Sequence, residues 1–328
     1  METMLILSGN EVRQALSMRD AIQAVRSAMA RLSAGECIVP ERAHMDVQEH
    51  SGVALVMPSC VPADERMSVK VITLYDRNPE RGMPRIQAVV LLFDAATGAP
   101  LAMMDGGVLT AIRTGAGSGV ATDLLARLDS RRVAVFGAGQ QARTQLEAVC
   151  YVRSIASAAV YDPDEAAARR FANEMTESLK MPVAAAGSAR EAMIGADIVC
   201  TATVSRTPVF HDSDVRPGTH INAIGSYKPH VQELPGSTVA RSRVFTDYRA
   251  GALTEPGDLL IPISEGLFGP EHVVGEIGDV LLGRTPGRAS DDEITLYKSV
   301  GVAVQDLAAA SAALAGARER GLGTEVAL

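Results

Sequence analysis

From Arg131 onward, short apolar runs alternate with stretches whose apolar residues recur at helical spacing. Val133–Phe136, Ala158–Tyr161, Val183–Ala185, Asp197–Thr201, Ile221–Ile224 and Val244–Thr246 read as strands, with helices reaching to about Val152 and starting at Asp164. That alternation predicts a doubly wound parallel sheet. The first ~105 residues follow another rhythm. Ser17-Met18-Arg19-Asp20 reads as a capping box opening a helix to about Ser33, with Gly35 as its stop. Extended segments follow at Gly52–Pro58, Met67–Leu74 and Ile86–Phe93, and Asp94–Gly98 is a turn, so this part predicts a helix-plus-sheet unit of mixed or antiparallel type. A small-residue helix is expected from Val108 to about Leu128, with Gly115, Gly117 and Gly119 in its middle. Glycine costs ~1 kcal/mol against Ala in a helix interior, so the cluster predicts close approach of another backbone or a ligand. Ile294 to about Arg320 reads as one long Ala-rich helix able to fold back onto the first unit.

At 328 residues the chain exceeds the ~250–300 at which a single core stops growing, which predicts two domains. The boundaries place 1–115 with 305–328 in one and 116–304 in the other. Apolar residues at 47% and charged residues at 21% describe an ordinary globular protein. A formal net charge of −8 supplies no general attraction to nucleic acid or anionic lipid. Cys37, Cys60, Cys150 and Cys200 form no C-x-x-C pair, so neither a zinc site nor a disulfide framework is expected. The start of the chain shows no basic leader, and no run approaches the ~18–20 apolar residues of a membrane span. A soluble, cytoplasmic protein is the expectation.

The strand Val133–Phe136 leads into Gly137-Ala138-Gly139-Gln140-Gln141-Ala142 and then a helix. A glycine-rich turn alone is weak evidence, but this context is that of a dinucleotide fold. Gly137 would allow the tight turn, Gly139 the approach of a pyrophosphate to free helix amides, and Ala142 close helix–strand packing. Asp162, at the end of the second strand, can accept ribose hydroxyl protons and would repel a 2′-phosphate, which predicts NAD(H) over NADP(H). Its bland alternative is a turn aspartate before Pro163.

Lys70 lies inside the apolar strand Ser68–Ile72, where it must find a partner or lose its charge. It is a candidate anion holder unless it faces outward from an edge strand. Arg113, among small and apolar neighbours, could present its fork to a carboxylate or phosphate, or form a structural ion pair. Arg42 is a further candidate. The six histidines show no ligand spacing, so no metal is expected. Gly225-Ser226-Tyr227-Lys228-Pro229 follows a strand of the parallel sheet, at the end where ligands bind in such folds.

VPERAHM, SVKVITLY, LTAIRTGAGS, VFGAGQQA, GTHINAIGS, EPGDLL and ITLYKSVG together resemble the ornithine cyclodeaminase/mu-crystallin family, almost end to end. The resemblance implies a Rossmann NAD domain (116–304) and a smaller α+β domain (1–115 with 305–328) for substrate binding and homodimerisation. It implies that Arg42, Lys70, Arg113 and Val300 meet the substrate, and that Arg113, Thr114, Gln140, Gln141, Asp162, Thr201, Ile224 and Ser299 join Gly137 and Gly139 at the cofactor. The cyclodeaminases carry an acid where this chain has Tyr227, and a lysine where it has Val231. A phenol of pKa near ~10 is a poor base at neutral pH.

The departure points to the branch that reduces preformed imines. NADH would reduce a small carboxylate-bearing imine, pyrroline-2-carboxylate for example, to an amino acid, with Lys70 as proton source and Tyr227 shaping the pocket or donating. The alternatives are ornithine cyclisation or amino-acid dehydrogenation with NAD, and a non-catalytic dinucleotide-binding protein.

Overall fold

A computed structural model describes residues 3–327; Met1, Glu2 and Leu328, at the ends of the first expected domain, lie outside the described residues. The chain divides into two compact units, one made of residues up to Arg113 with those from Val302 on, the other of Thr114–Gly301. Among the described residues no helix is long and apolar enough to cross a membrane.

The first unit is a seven-stranded mixed sheet. Its strands are β1 (Thr3–Leu7), β2 (Ala43–Val47), β3 (Gly52–Val61), β4 (Arg66–Tyr75), β5 (Ile86–Asp94), β6 (Pro100–Asp105) and, from the far end of the chain, β15 (Thr324–Ala327). They lie in the order β15-β1-β6-β5-β4-β3-β2. Only β1 and β6 run parallel; the other neighbours are antiparallel. Along β4 the alternation of the pleat buries Ser68, Lys70, Ile72 and Leu74 and turns Val69, Val71 and Thr73 to the other face. Helices α1 (Gly9–Ala15), α2 (Met18–Ser33) and α11 (Ala303–Arg320) belong to this unit, and α11 packs on α1, α2 and the strands β3, β4 and β5.

Ser17 caps α2 by accepting the Asp20 amide, but its hydroxyl donates to the Asp20 carboxylate, so only half of the expected capping box forms. Helix α3 (Gly106–Leu125) contains the boundary between the units. It ends short of the expected Leu128 because the Arg153 guanidinium takes up the carbonyls of Thr122, Asp123 and Ala126. Gly115 makes one close approach foreseen for its cluster: a Cβ there would lie 2.4 Å from the Thr144 carbonyl oxygen.

The second unit is an eight-stranded sheet whose neighbours are all parallel. Its strands are β7 (Arg132–Phe136), β8 (Ser157–Tyr161), β9 (Val183–Ala185), β10 (Ile198–Thr201), β11 (His220–Ala223), β12 (Arg243–Thr246), β13 (Val273–Glu276) and β14 (Thr295–Lys298), in the order β13-β12-β14-β11-β10-β7-β8-β9. Helices α4 (Gln140–Val152), α5 (Glu165–Leu179), α6 (Ala189–Met193), α7 (Gly236–Ala240), α8 (Arg249–Ala252), α9 (Gly257–Ser264) and α10 (Ile277–Leu281) complete it. Val133 and Val135 enter one apolar core with Leu146 and Phe171, whereas Ala134 and Phe136 enter another with Phe210 and Leu234. A sheet covered on both faces is what the short unbroken apolar runs require. Since β7 has β8 on one side and β10 on the other, the strand order reverses there, and ligands bind at such a reversal.

One expectation is corrected. Ile294–Arg320 is not a single helix: Thr295–Lys298 is a fully buried strand between β11 and β12, and helix α11 starts only at Ala303. Gly301, at φ +81, lies between them. A short apolar run cannot be assigned by periodicity alone, and the β-branched and aromatic residues Thr295 and Tyr297 favour the strand.

Candidate active site

In the first unit, Lys70 and Arg113 meet an anion that drew no notice in the sequence. Lys70 pairs with Met57 of β3 on one side and Val90 of β5 on the other, so it sits in the sheet interior and not on an edge. It is 1% exposed. Its Nζ lies 2.6 Å from Asp306 Oδ2, and Arg113 Nε donates to Asp306 Oδ1 at 2.9 Å. Arg113 Nη1 donates to Gln305 Oε1 at 2.8 Å. These bonds leave Nη2 as the guanidinium nitrogen they do not engage.

Asp306 lies in the first turn of α11, whose free amides favour an anion. Ser59 anchors that turn to the sheet by donating to the Ala303 carbonyl at 3.1 Å. Burial pulls the Lys70 ammonium down to about 8, with Asp306 opposing the fall and Arg113 and Arg42 adding to it. For Asp306 burial works toward protonation, but Arg113 and Lys70 outweigh it and hold the carboxyl below its usual range. Arg42 is half-buried and near enough for its charge to weigh on Lys70.

In the second unit, the remaining candidates other than Thr114, which sits in α3, gather at the carboxyl edge of the parallel sheet. Gly137 follows β7 with φ +96, and a Cβ there would meet the Ala202 carbonyl oxygen at 2.7 Å, so only glycine fits. Gly139 is extended at the start of α4, has no side chain to cap the first-turn amides, and has nothing within 4 Å of its Cβ position. Gln140 and Gln141 open that helix, and the Gln141 side-chain oxygen is buried without a partner. Free amides beside an open glycine form a cradle that a diphosphate fits. Asp162 Oδ2 accepts the Ala138 amide of this loop at 2.9 Å while Oδ1 accepts the Asp164 amide, so the carboxylate is tied to the loop as well as to its own turn.

Thr201 ends β10 and donates its hydroxyl to Glu233 at 2.8 Å; Ile224 follows β11 and its amide bonds the Thr201 carbonyl. Tyr227 is half-buried, with Lys228 Nζ 5.5 Å from its ring centre. Val231 is buried, and its carbonyl accepts the Ser226 hydroxyl at 2.5 Å. Ser299 and Val300 are fixed by Asp247, whose Oδ2 accepts the Ser299 hydroxyl at 2.7 Å and the amides of Val300 and Gly301 at 3.1 and 2.7 Å.

The model of the ornithine cyclodeaminase/mu-crystallin family matches residues 1–320. The chain belongs to this family. It is 39% identical over 324 residues to a Delta(1)-pyrroline-2-carboxylate reductase of Bacillus cereus, covering 98% of this chain and 99% of that protein. Its structure is similar to that of the Thermococcus litoralis Delta(1)-pyrroline-2-carboxylate reductase in complex with NADH and L-proline, with a TM-score of 0.96 and 43% identity over 98% of this chain and all of that one. An archaeal alanine dehydrogenase dimer with bound NAD is also similar, with a TM-score of 0.93 and 33% identity over the whole of both chains.

Within this family frame, three acids stand out that sequence reasoning passed over. Asp306 sits beside Gln305 in the first turn of a helix whose residues up to Ala317 are otherwise small or apolar, and a polar pair among them was the available signal. Asp247 directly follows the strand Val244–Thr246, at the end of a parallel strand where polar residues serve ligands. Glu233 lies in a loop with no local pattern to mark it. His220, by contrast, is structural: its ring bonds Thr295 and Asn222, and burial pushes it down to about 3, keeping it neutral.

Proposed function

We propose that the protein is an NADH-dependent reductase of a small, carboxylate-bearing cyclic imine, with pyrroline-2-carboxylate as the first substrate to try and proline as its product. The observation that carries this reading is the buried Lys70–Asp306–Arg113 cluster, which combines a proton donor with cations suited to a carboxylate. Arg42, Lys70 and Arg113 hold the substrate carboxylate. NADH, when bound, supplies a hydride to the C=N carbon. Lys70, titrating near about 8, gives a proton to the imine nitrogen at neutral pH, and Asp306 keeps that proton available beforehand. Tyr227 borders the substrate and can donate in its place. Val300 contributes an apolar wall.

Gly137, Gly139, Gln140 and Gln141 receive the pyrophosphate, Asp162 receives the ribose hydroxyls and disfavours NADP(H), and Thr114, Thr201, Ile224 and Ser299 complete the cofactor contacts. The relatives named for reduction of the same imine, one of them holding NADH and L-proline, support the assignment. The absence of a carboxylate at Tyr227 speaks against ornithine cyclisation. The deciding experiment follows NADH absorbance with pyrroline-2-carboxylate and, separately, ammonia and proline from ornithine. NADH consumption with proline formation is expected; proline and ammonia from ornithine without net NADH consumption would overturn the reading.

We also infer that the working form is a homodimer located in the cytoplasm. Val56, Val71 and Val89 are consecutive cross-strand partners on the outer face of the first unit's sheet, and all three are exposed. A contiguous apolar patch of this kind is suited to a self-complementary interface. The archaeal alanine dehydrogenase relative is itself a dimer. Sedimentation of Val71→Arg should show a monomer where the parent protein sediments as a dimer.

A further inference from the structure

Glu233 is fully buried, yet five donors converge on its carboxylate. The Thr201 hydroxyl reaches Oε2 at 2.8 Å, and the amides of Gly225 and Ser226 reach the same oxygen at 2.7 and 3.2 Å. The amide and hydroxyl of Thr203 reach Oε1 at 2.6 and 2.8 Å. The Thr203 hydroxyl gives its one proton to Glu233 while its oxygen accepts the Ser205 amide at 3.1 Å. Burial and the neighbouring Asp258 raise the Glu233 carboxyl above its usual range, and Lys298 and the Thr203 bonds offset only part of that rise. An ionised carboxylate is the form that can accept from all five donors, since a protonated one must itself donate.

The backbone of this residue is held as firmly as its side chain. The amides of Glu233 and Leu234 donate to Asp258 Oδ1 at 2.7 and 3.0 Å, and Asp258 Oδ2 lies 3.0 Å from Lys298 Nζ. Lys298 is the last residue of β14. One chain of buried charges thus joins the carboxyl ends of three adjacent strands: β10 through Thr201 and Thr203, β11 through Gly225 and Ser226, and β14 through Lys298. Gly225 permits the contact, because a Cβ there would lie 2.4 Å from Glu233 Oε1. The loop that Glu233 closes carries Tyr227.

We infer that Glu233 is a positioning residue for the reaction, clamping the turns after β10 and β11 into the floor that carries the nicotinamide end of the cofactor and the Tyr227 loop. The inference rests on the cofactor reading proposed above. The pyrophosphate loop at Gly137–Gln141 and the ribose acceptor Asp162 lie outside the clamp, so loosening it affects ring placement more than overall cofactor affinity. A merely structural acid would show the opposite split, losing thermal stability and keeping turnover.

The experiment compares Glu233→Gln with the parent in three readouts: NADH affinity by fluorescence, kcat with cyclic imine, and thermal midpoint. Glutamine exchanges one acceptor oxygen for an NH2 that faces donors, so kcat should fall about 100-fold, as for a misplacement of about 1 Å, with little change in NADH affinity. Should that variant fail to fold, Thr203→Val removes one donor and Thr203→Ser retains it; kcat should drop in the first and recover in the second. Unchanged kcat in Glu233→Gln, or equal kcat in the two Thr203 variants, overturns the inference. Failure of the parent protein to bind NADH would instead strike the cofactor reading, and this inference with it.

Discussion

Lys70 Nζ and Asp306 Oδ2 lie 2.6 Å apart in the interior of the first unit, and the same carboxylate accepts Arg113 Nε at 2.9 Å through its other oxygen. One anion therefore answers two cations. Replacing Asp306 by Asn leaves burial and the Arg113 charge to act on Lys70 without opposition, so the lysine titrates lower than in the parent. Turnover at neutral pH should fall and the alkaline limb of the kcat profile should move to lower pH; a limb that stays in place would separate Asp306 from the proton donor.

The same substitution has a stability consequence with a defined sign. The folded-state pKa of Asp306 is depressed, so its contribution is present above the unfolded value of ~3.9 and is lost as pH falls through the folded value. At neutral pH, Asp306→Asn strands buried positive charge and should destabilise the fold by about 3–5 kcal/mol. On acidification below ~4 the gap between parent and variant should close. Thermal midpoints measured against pH test both statements.

Lys70→Ala should reduce turnover by about 100-fold or more, the range of a lost general acid, with NADH affinity retained. In the parent, the acid form is depleted above about 8, so the rate should decline there. That decline should be missing from the variant, while any limb belonging to the substrate's own titration persists in both. Equal turnover in the two proteins would assign the proton to another group, Tyr227 being the next to test.

Much of this arrangement was legible in the sequence because it rests on local pattern. The short apolar runs of the second unit are strands buried on both faces, and the Gly137–Ala142 loop announces its turn through residue types alone. Lys70 was conspicuous as a charge in an apolar strand, but the strand's place was not, since an edge and an interior strand share one alternation. β2 escaped notice because Ala43–Val47 is exposed along most of its length and shows no alternation. β14 was absorbed into the Ala-rich helix that follows it. Asp306, Asp247 and Glu233 were missed for a common reason: each takes its meaning from partners distant in sequence, and no spacing rule encodes such pairings.

Asp162 should govern the choice between the two nicotinamide cofactors. Its carboxylate is held in place by the amides of Ala138 and Asp164, both at 2.9 Å, so it cannot easily turn away from a 2′-phosphate. Like charges ~4 Å apart cost about 1–4 kcal/mol. Asp162→Ser should therefore raise kcat/KM with NADPH by about 5-fold or more relative to that with NADH. Some NADH affinity should also be lost, because the Ala138 amide loses its acceptor. An unchanged ratio of the two cofactors would locate the adenosine ribose elsewhere.

Gly137 and Gly139 stand two residues apart but should respond differently to alanine. At Gly137 the added methyl meets a φ of +96 and the Ala202 carbonyl oxygen at 2.7 Å, so the strand end itself must shift. Strain of this kind costs about 1–3 kcal/mol, and Gly137→Ala should lower the thermal midpoint and NADH affinity together. At Gly139 the backbone is extended at φ −82 and the Cβ position is open, so the fold should accept alanine without loss of stability. The methyl instead occupies the space through which a pyrophosphate approaches the amides of Gln140 and Gln141. Gly139→Ala should thus keep its thermal midpoint while its dissociation constant for NADH rises. A Gly139→Ala protein that binds NADH as the parent does would remove the pyrophosphate from this loop, and a matched loss of stability in both variants would mean that packing, not the cofactor, keeps Gly139 free of a side chain.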